Sequence, residues 1–142
     1  MSTEKLGTAD YPLAEKRPEL IGGRRGKALS DVTLEAVRAG SISMEDLRIT
    51  GKALRQQAEI AMAAGRPTLA GNFERAAELV DVPQDVIMAT YELLRPGRAQ
   101  GPKQLADAAR ELRNVYGANR MAQFVEEAAV VYEKRGLFTR RY

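Results

Sequence analysis

From Ser30 to Gly136 the apolar residues recur three and four apart, in stretches that open at a capping residue or proline and close at a glycine or proline. This punctuation restricts the chain to a series of short helices. A first helix is expected over about Asp31 to Ala39, stopped by Gly40, and Ser43 is a fitting N-cap for a brief turn over Met44, Glu45 and Asp46. Thr50 can cap a longer helix with Leu54, Ala58 and Ala61 on one face, ended by Gly65. Pro67 stands where a first-turn proline is tolerated, ahead of a stripe at Leu69, Phe73, Ala76, Ala77 and Val80 that assigns Phe73 to the core. Pro83 repeats the device before Val86, Ile87, Tyr91 and Leu94, all expected to face inward. The run from Arg95 to Pro102 reads as a loop. Two further stripes follow, at Leu105, Ala108, Ala109 and Leu112, ending near Gly117, and at Met121, Val125, Ala128 and Tyr132, closed by Gly136. The tail from Thr139 to Tyr142 is expected to fray. Period-two alternation is absent, so the fold class is all-α, a compact multi-helix domain.

Residues 1–29 are different material. Pro12, Pro18, Gly22, Gly23 and Gly26 resist a continuous helix, and Lys16, Arg17, Arg24, Arg25 and Lys27 make the stretch cationic. The expectation is an extended N-terminal arm over 1–29, not a packed element, followed by a helical domain over 30–142.

Composition narrows the chemistry. Apolar residues are 44% of the chain, but alanine supplies much of that and only 6% of residues are aromatic, so the helices bury little area per residue. A partner is therefore expected to supply part of the stability. The chain has no histidine and no cysteine. That removes thiolate chemistry, disulfides, the commonest general base at neutral pH, and the usual zinc and di-iron ligand sets. No apolar run approaches the roughly 18 residues of a membrane span, and the N-terminus lacks the apolar stretch of a secretory signal. The reading is a cytoplasmic chain with no membrane partner. Its net charge of +3 comes from interleaved acids and bases, the pattern of solvated helix faces.

Three constellations invite a site and fall short of one. Gly22-Gly23-Arg24-Arg25-Gly26-Lys27 lacks the spacing of a phosphate-binding loop and follows no apolar strand, so it reads as a mobile basic linker. Glu74 with Glu78, and Glu126 beside Glu127, could in principle share acid–base work, but Arg75 before Glu78 is ordinary helix-surface pairing. A nucleic-acid reader should gather cations on one exposed helix face. The helix from Pro67 sets Arg75 against Glu74 and Glu78, and the last helix carries Glu126, Glu127 and Glu133, so no nucleic-acid partner is expected.

Asp10-Tyr11-Pro12-Leu13-Ala14 resembles the opening of the small (gamma) subunits of adenosylcobalamin-dependent diol and glycerol dehydratases. Thr33-Leu34-Glu35 with Val37 and Gly40, Asp46-Leu47-Arg48-Ile49, and Gln57-Ala58-Glu59-Ile60-Ala61 are similar to segments that follow in that family. Most specific is Asn72-Phe73-Glu74-Arg75-Ala76-Ala77-Glu78-Leu79, continuing through Val82-Pro83. Tyr91, Leu94-Arg95-Pro96 with Arg98, Ala122, Phe124-Val125 and Glu127-Ala128-Ala129 complete a collinear match over about residues 10–137. The lead Ala64-Gly65-Arg66 is more similar to the diol type. Nine residues precede Asp10, fewer than many diol-type members carry, and so the N-terminus gives no support to encapsulation in a bacterial microcompartment directed by this chain.

The resemblance implies a large–medium–small heterotrimer, paired as a dimer of heterotrimers. It implies conversion of propane-1,2-diol, glycerol or ethylene glycol to an aldehyde and water. It places adenosylcobalamin and a metal ion, potassium or calcium, in the partner subunits, with no catalytic, cofactor or metal residue here. Tyr11, Pro12 and Leu13 are the expected anchors of the arm on the large subunit, since a buried tyrosine is a common hot-spot residue. Arg75 lies about 160° from Ala77 around its helix, and is expected to meet a partner carboxylate or carbonyl. The alternative is a free-standing helical adaptor or regulator.

Overall fold

The computed structural model describes residues 4–139 and is all-helical, with no strand among them. Its contacts divide it into two units, one ending at Val80 and the other beginning at Asp81.

In the first unit the N-terminal stretch alternates extended backbone at Gly7, Tyr11, Pro12 and Ile21 with single turns. The turns are 3-10 at Thr8–Asp10 and Pro18–Leu20 and α-helical at Leu13–Lys16 (α1), and the Tyr11–Pro12 bond is cis. Contrary to the expectation of an unpacked arm, this stretch is docked on its own chain. Leu6 and Leu13 are buried with Ile60, and Leu20 and Ile21 pack against that cluster. The Leu6 amide donates to Oε2 of Glu59 at 3.0 Å. Of these turns α1 alone buries a residue, Leu13, so they leave no period legible in the sequence.

A 3-10 turn at Leu29–Asp31 leads to two short helices, Leu34–Arg38 (α2) and Met44–Leu47 (α3). Thr33 caps α2, its Oγ1 accepting from the Ala36 amide at 3.1 Å, and Gly40 ends the segment in the left-handed region at φ 77°. The longer helices Gly51–Ala63 (α4) and Pro67–Leu79 (α5) pack on each other through Ala58, Ala61 and Ala70. Thr50 caps α4 as expected, accepting from the Ala53 amide at 3.1 Å. The buried residues of α5 are Ala70 and Ala77, while Leu69 and Phe73 pack only partly buried against the alanine cluster. Phe73 is thus a wall of the core and not its centre.

The second unit consists of Gln84–Leu94 (α6), Pro102–Asn114 (α7) and Asn119–Arg135 (α8). α7 and α8 pack closely, burying Leu105, Ala109 and Leu112 against Ala122, Val125 and Ala129. Met121, Ala128 and Tyr132, expected inward on α8, are only partly buried. In α6 the buried residue is Thr90, its hydroxyl donating to the Val86 carbonyl at 2.9 Å, and Tyr91 faces outward. The Tyr132 hydroxyl donates to the Leu94 carbonyl. Gly136 closes α8 at φ 64°, as its position predicted. The expected fraying of 139–142 falls, beyond Thr139, outside the described residues.

Among the described residues no helix is long and apolar enough to cross a membrane.

Candidate partner-binding surfaces

Several charged side chains of this structure are engaged in ion pairs and hydrogen bonds within the chain. Nη1 and Nη2 of Arg113 donate to Oε1 and Oε2 of Glu126 at 2.6 and 2.9 Å, joining α7 to α8. The Arg113 bond holds the Glu126 carboxyl below its usual range. Glu127 accepts from Gln123 at 3.0 Å, so the adjacent glutamates serve two separate contacts. Asp107 sits between Lys103 and Arg110, and Asp10 accepts both the Gly7 amide and Nη1 of Arg17. No cluster of three or more acidic or other ligand residues suited to a metal ion occurs among the described residues.

The glycine-rich basic turn, read from sequence as a mobile linker, is a tight reversal fixed to α3. The Gly23 amide donates to the Lys27 carbonyl at 3.1 Å and Gly22 bridges Ala28. Arg25 then reaches Asp46: Nε donates to Oδ1 at 2.8 Å, and Nη2 donates both to Oδ2 and, at 3.1 Å, to the Ser41 carbonyl. Oδ2 also accepts the Ser43 amide at 2.8 Å. The Asp46 side chain is 0% exposed. The Arg25 bond first, then the Ser43 amide, holds its carboxyl far below the ordinary carboxylate range. A Cβ on Gly23 would lie 2.8 Å from the Asp46 carbonyl oxygen, so only glycine lets the two backbones approach this closely. The cap at Ser43 is legible in the sequence but this latch is not, because Arg25 lies 21 residues from its partner. The one available signal was an aspartate three residues after a capping serine.

The four expected contact residues fare differently. Leu13 is buried in its own chain against Leu6 and Ile60, Pro12 is half-buried, and Tyr11 is 60% exposed. Tyr11 borders two clefts of the first unit. One, of about 330 Å³, is walled by Gln57, Ile60, Ala61, Leu69 and Phe73. The other, of about 730 Å³, runs past Leu20, Ile21 and Gly23 to Ile49 and Ala53 at the start of α4. Arg75 is half-buried on α5, its Nη2 donating to Oδ1 of Asn72 on the preceding turn. The structure does not bring Arg75 to either cleft's lining.

Apolar side chains stand exposed across both units: Leu34, Met44, Leu47 and Ile49 in the first, Met88, Tyr91, Val115 and Val130 in the second. Singly exposed apolar side chains are ordinary, whereas several gathered in one short stretch, as from Leu34 to Ile49, are the form an interaction surface takes.

The family described as "Dehydratase small subunit" matches residues 6–139. The chain is 49% identical to the propanediol dehydratase small subunit of Citrobacter freundii over 134 residues, covering 94% of this chain and 77% of that protein. It is also 49% identical to the propanediol dehydratase small subunit of Salmonella typhimurium over 127 residues, covering 89% of this chain and 73% of that one.

Proposed function

The chain belongs to the dehydratase small-subunit family, and from that premise we propose that it is the non-catalytic structural subunit of an adenosylcobalamin-dependent diol dehydratase. The complex converts propane-1,2-diol, and glycerol or ethylene glycol, to an aldehyde and water in the cytoplasm. The observation that carries this reading is the match of residues 6–139 to a family of subunits, at 49% identity to two relatives named for propanediol. Large and medium subunits complete a heterotrimer, which pairs into a dimer. Adenosylcobalamin would supply radical chemistry when bound, and in the family that the chain resembles it lies between the large and medium subunits. The reading therefore assigns cofactor, potassium or calcium ion and substrate to the larger subunits, and docking to this one.

Tyr11 is the anchor the geometry favours within the docking surface. It is exposed between two clefts, whereas Leu13 already serves the internal core. Removing residues 1–21 would also strip Leu6 and Leu13 from Ile60, so it would confuse folding with docking. The cleaner test is Tyr11→Ala in chain co-expressed with the larger subunits. The expected outcome is an unchanged helical spectrum of the isolated chain and a complex that loses this subunit on dilution. Full retention of the variant at the same dilution would show that Tyr11 is not an anchor.

A further inference from the structure

Between Leu29 and Ile49 only Ile42 and Asp46 are buried, while Leu29, Leu34, Val37, Met44, Leu47 and Ile49 are all exposed, Met44 by 74%. A stretch with so small a core should be loose, yet it is held by polar devices. The Ser41 and Ile42 amides both donate to the Ala36 carbonyl, at 3.0 and 3.3 Å, folding the chain back past Gly40. The buried Asp46 carboxylate then ties α3 to Arg25 and Ser43, and Gly23 closes against the Asp46 backbone. The result is a fixed backbone whose large apolar side chains point to solvent. Fixing them in advance lowers the ordering cost of binding, which has no value to a chain that stays alone.

We propose that the Leu29–Ile49 stretch is a second docking surface for the large dehydratase subunit, the one that Tyr11 is expected to meet, presented by the Asp46 latch. The proposal rests on the subunit reading above. Two observations select this occupant. Ile49 lines the same 730 Å³ groove as Tyr11, so the stretch continues the surface on which that anchor stands. Its charges are mixed, with Glu35 beside Leu34 and the Glu45–Arg48 pair at 2.9 Å beside Met44 and Leu47. That is the polar rim of a protein interface, and the acids disfavour an anionic membrane. The partner's matching face is apolar with a polar border.

The test uses full-length chain co-expressed with its larger subunits, and measures the small subunit's dissociation constant by dilution. Met44→Glu and Leu47→Glu replace exposed side chains, so each isolated variant should keep the wild-type helical spectrum. Each should weaken the complex about tenfold or more. Val130→Glu, an exposed apolar site on α8, is the control and should leave the affinity near wild type. Failure of the wild-type chain to co-purify would defeat the subunit reading itself. Wild-type retention with undiminished affinity of Met44→Glu and Leu47→Glu would overturn only this inference, as would an equal loss from Val130→Glu. An isolated wild-type dimer that Met44→Glu splits would make the occupant a second copy and overturn it too.

Discussion

Asp46 concentrates most of what a single residue does in this chain. Its carboxylate is depressed in the folded state, chiefly by the Arg25 bond, so its contribution to stability is complete above the unfolded aspartate value of about 3.9. That contribution is lost as pH falls through the folded value. The isolated chain should therefore melt at a constant temperature from neutral pH to about 5 and lose stability on further acidification. Other paired carboxylates, Asp10, Asp107 and Glu126 among them, shift in the same direction, so the difference between proteins isolates the latch. Asp46→Asn should lower the melting temperature at pH 7 and show a shallower acid limb than wild type. Parallel acid limbs would mean that the Arg25–Asp46 pair contributes nothing to folding. On the other side of the latch, Gly23→Ala forces a Cβ to within 2.8 Å of a backbone oxygen that has no flexible end to move. The expected cost is about 1–3 kcal/mol by denaturant titration, as for other overpacked sites. In the second unit, Leu105 and Leu112 are 0% and 1% exposed, and Leu105→Ala should cost about 2–5 kcal/mol.

Helices were the legible part of this sequence, and the faces they bury were legible only in part. Caps and stops at Thr50, Gly65, Pro67 and Gly136 are local chemistry, and each stands where its residue type predicts. The buried faces depend on which neighbour approaches and how closely. On α5 and α8 the innermost positions are alanines, Ala70 and Ala77, Ala122 and Ala129, with Val125 as the larger exception. Small side chains let helices approach, and larger ones such as Phe73 and Tyr132 are then pushed to the rim. A stripe weighted by size therefore finds Ala77 and Val125 but misses by one residue the buried Ala70, Ala122 and Ala129. On α6 the buried Thr90 could not be read as apolar at all, because its hydroxyl is satisfied only once the helix has formed. The correction changes an energetic expectation for α5. Phe73 is partly buried against Ala58, Ala61 and Ala70 and walls the cleft beside Tyr11. Phe73→Ala should thus cost less than the roughly 3–5 kcal/mol of a fully buried phenylalanine. A measured loss within that range in the isolated chain would restore Phe73 to the core. The latch and the docked N-terminal stretch were not legible, because each joins residues far apart in sequence through contacts that no local period records.

For the whole chain the consequence is a division of stability. The second unit fully buries Leu105, Leu112 and Val125, whereas the large core residues of the first unit, from Leu6 to Ile60, each keep 5–8% of their surface exposed. The exposed stretch from Leu29 to Ile49 adds little to the first unit's own core. Amide exchange in the isolated chain should accordingly be faster over the first unit than over α7 and α8. Binding that covers the first unit should slow it. A partner present at a hundredfold excess over its dissociation constant adds about 2.7 kcal/mol to the folded state. On the function proposed above, a chain with no histidine, no cysteine and an alanine-rich core belongs to an enzyme by folding partly against its larger subunits. The most direct test of that claim is to co-express the full chain, tagged, with large and medium dehydratase subunits, and to weigh the purified complex while assaying each fraction. The account predicts all three chains in equal proportion, aldehyde from propane-1,2-diol only in fractions holding the larger subunits, and none from the tagged chain alone with adenosylcobalamin. Purification of the tagged chain free of both larger subunits, or aldehyde formed by it alone, would contradict the account.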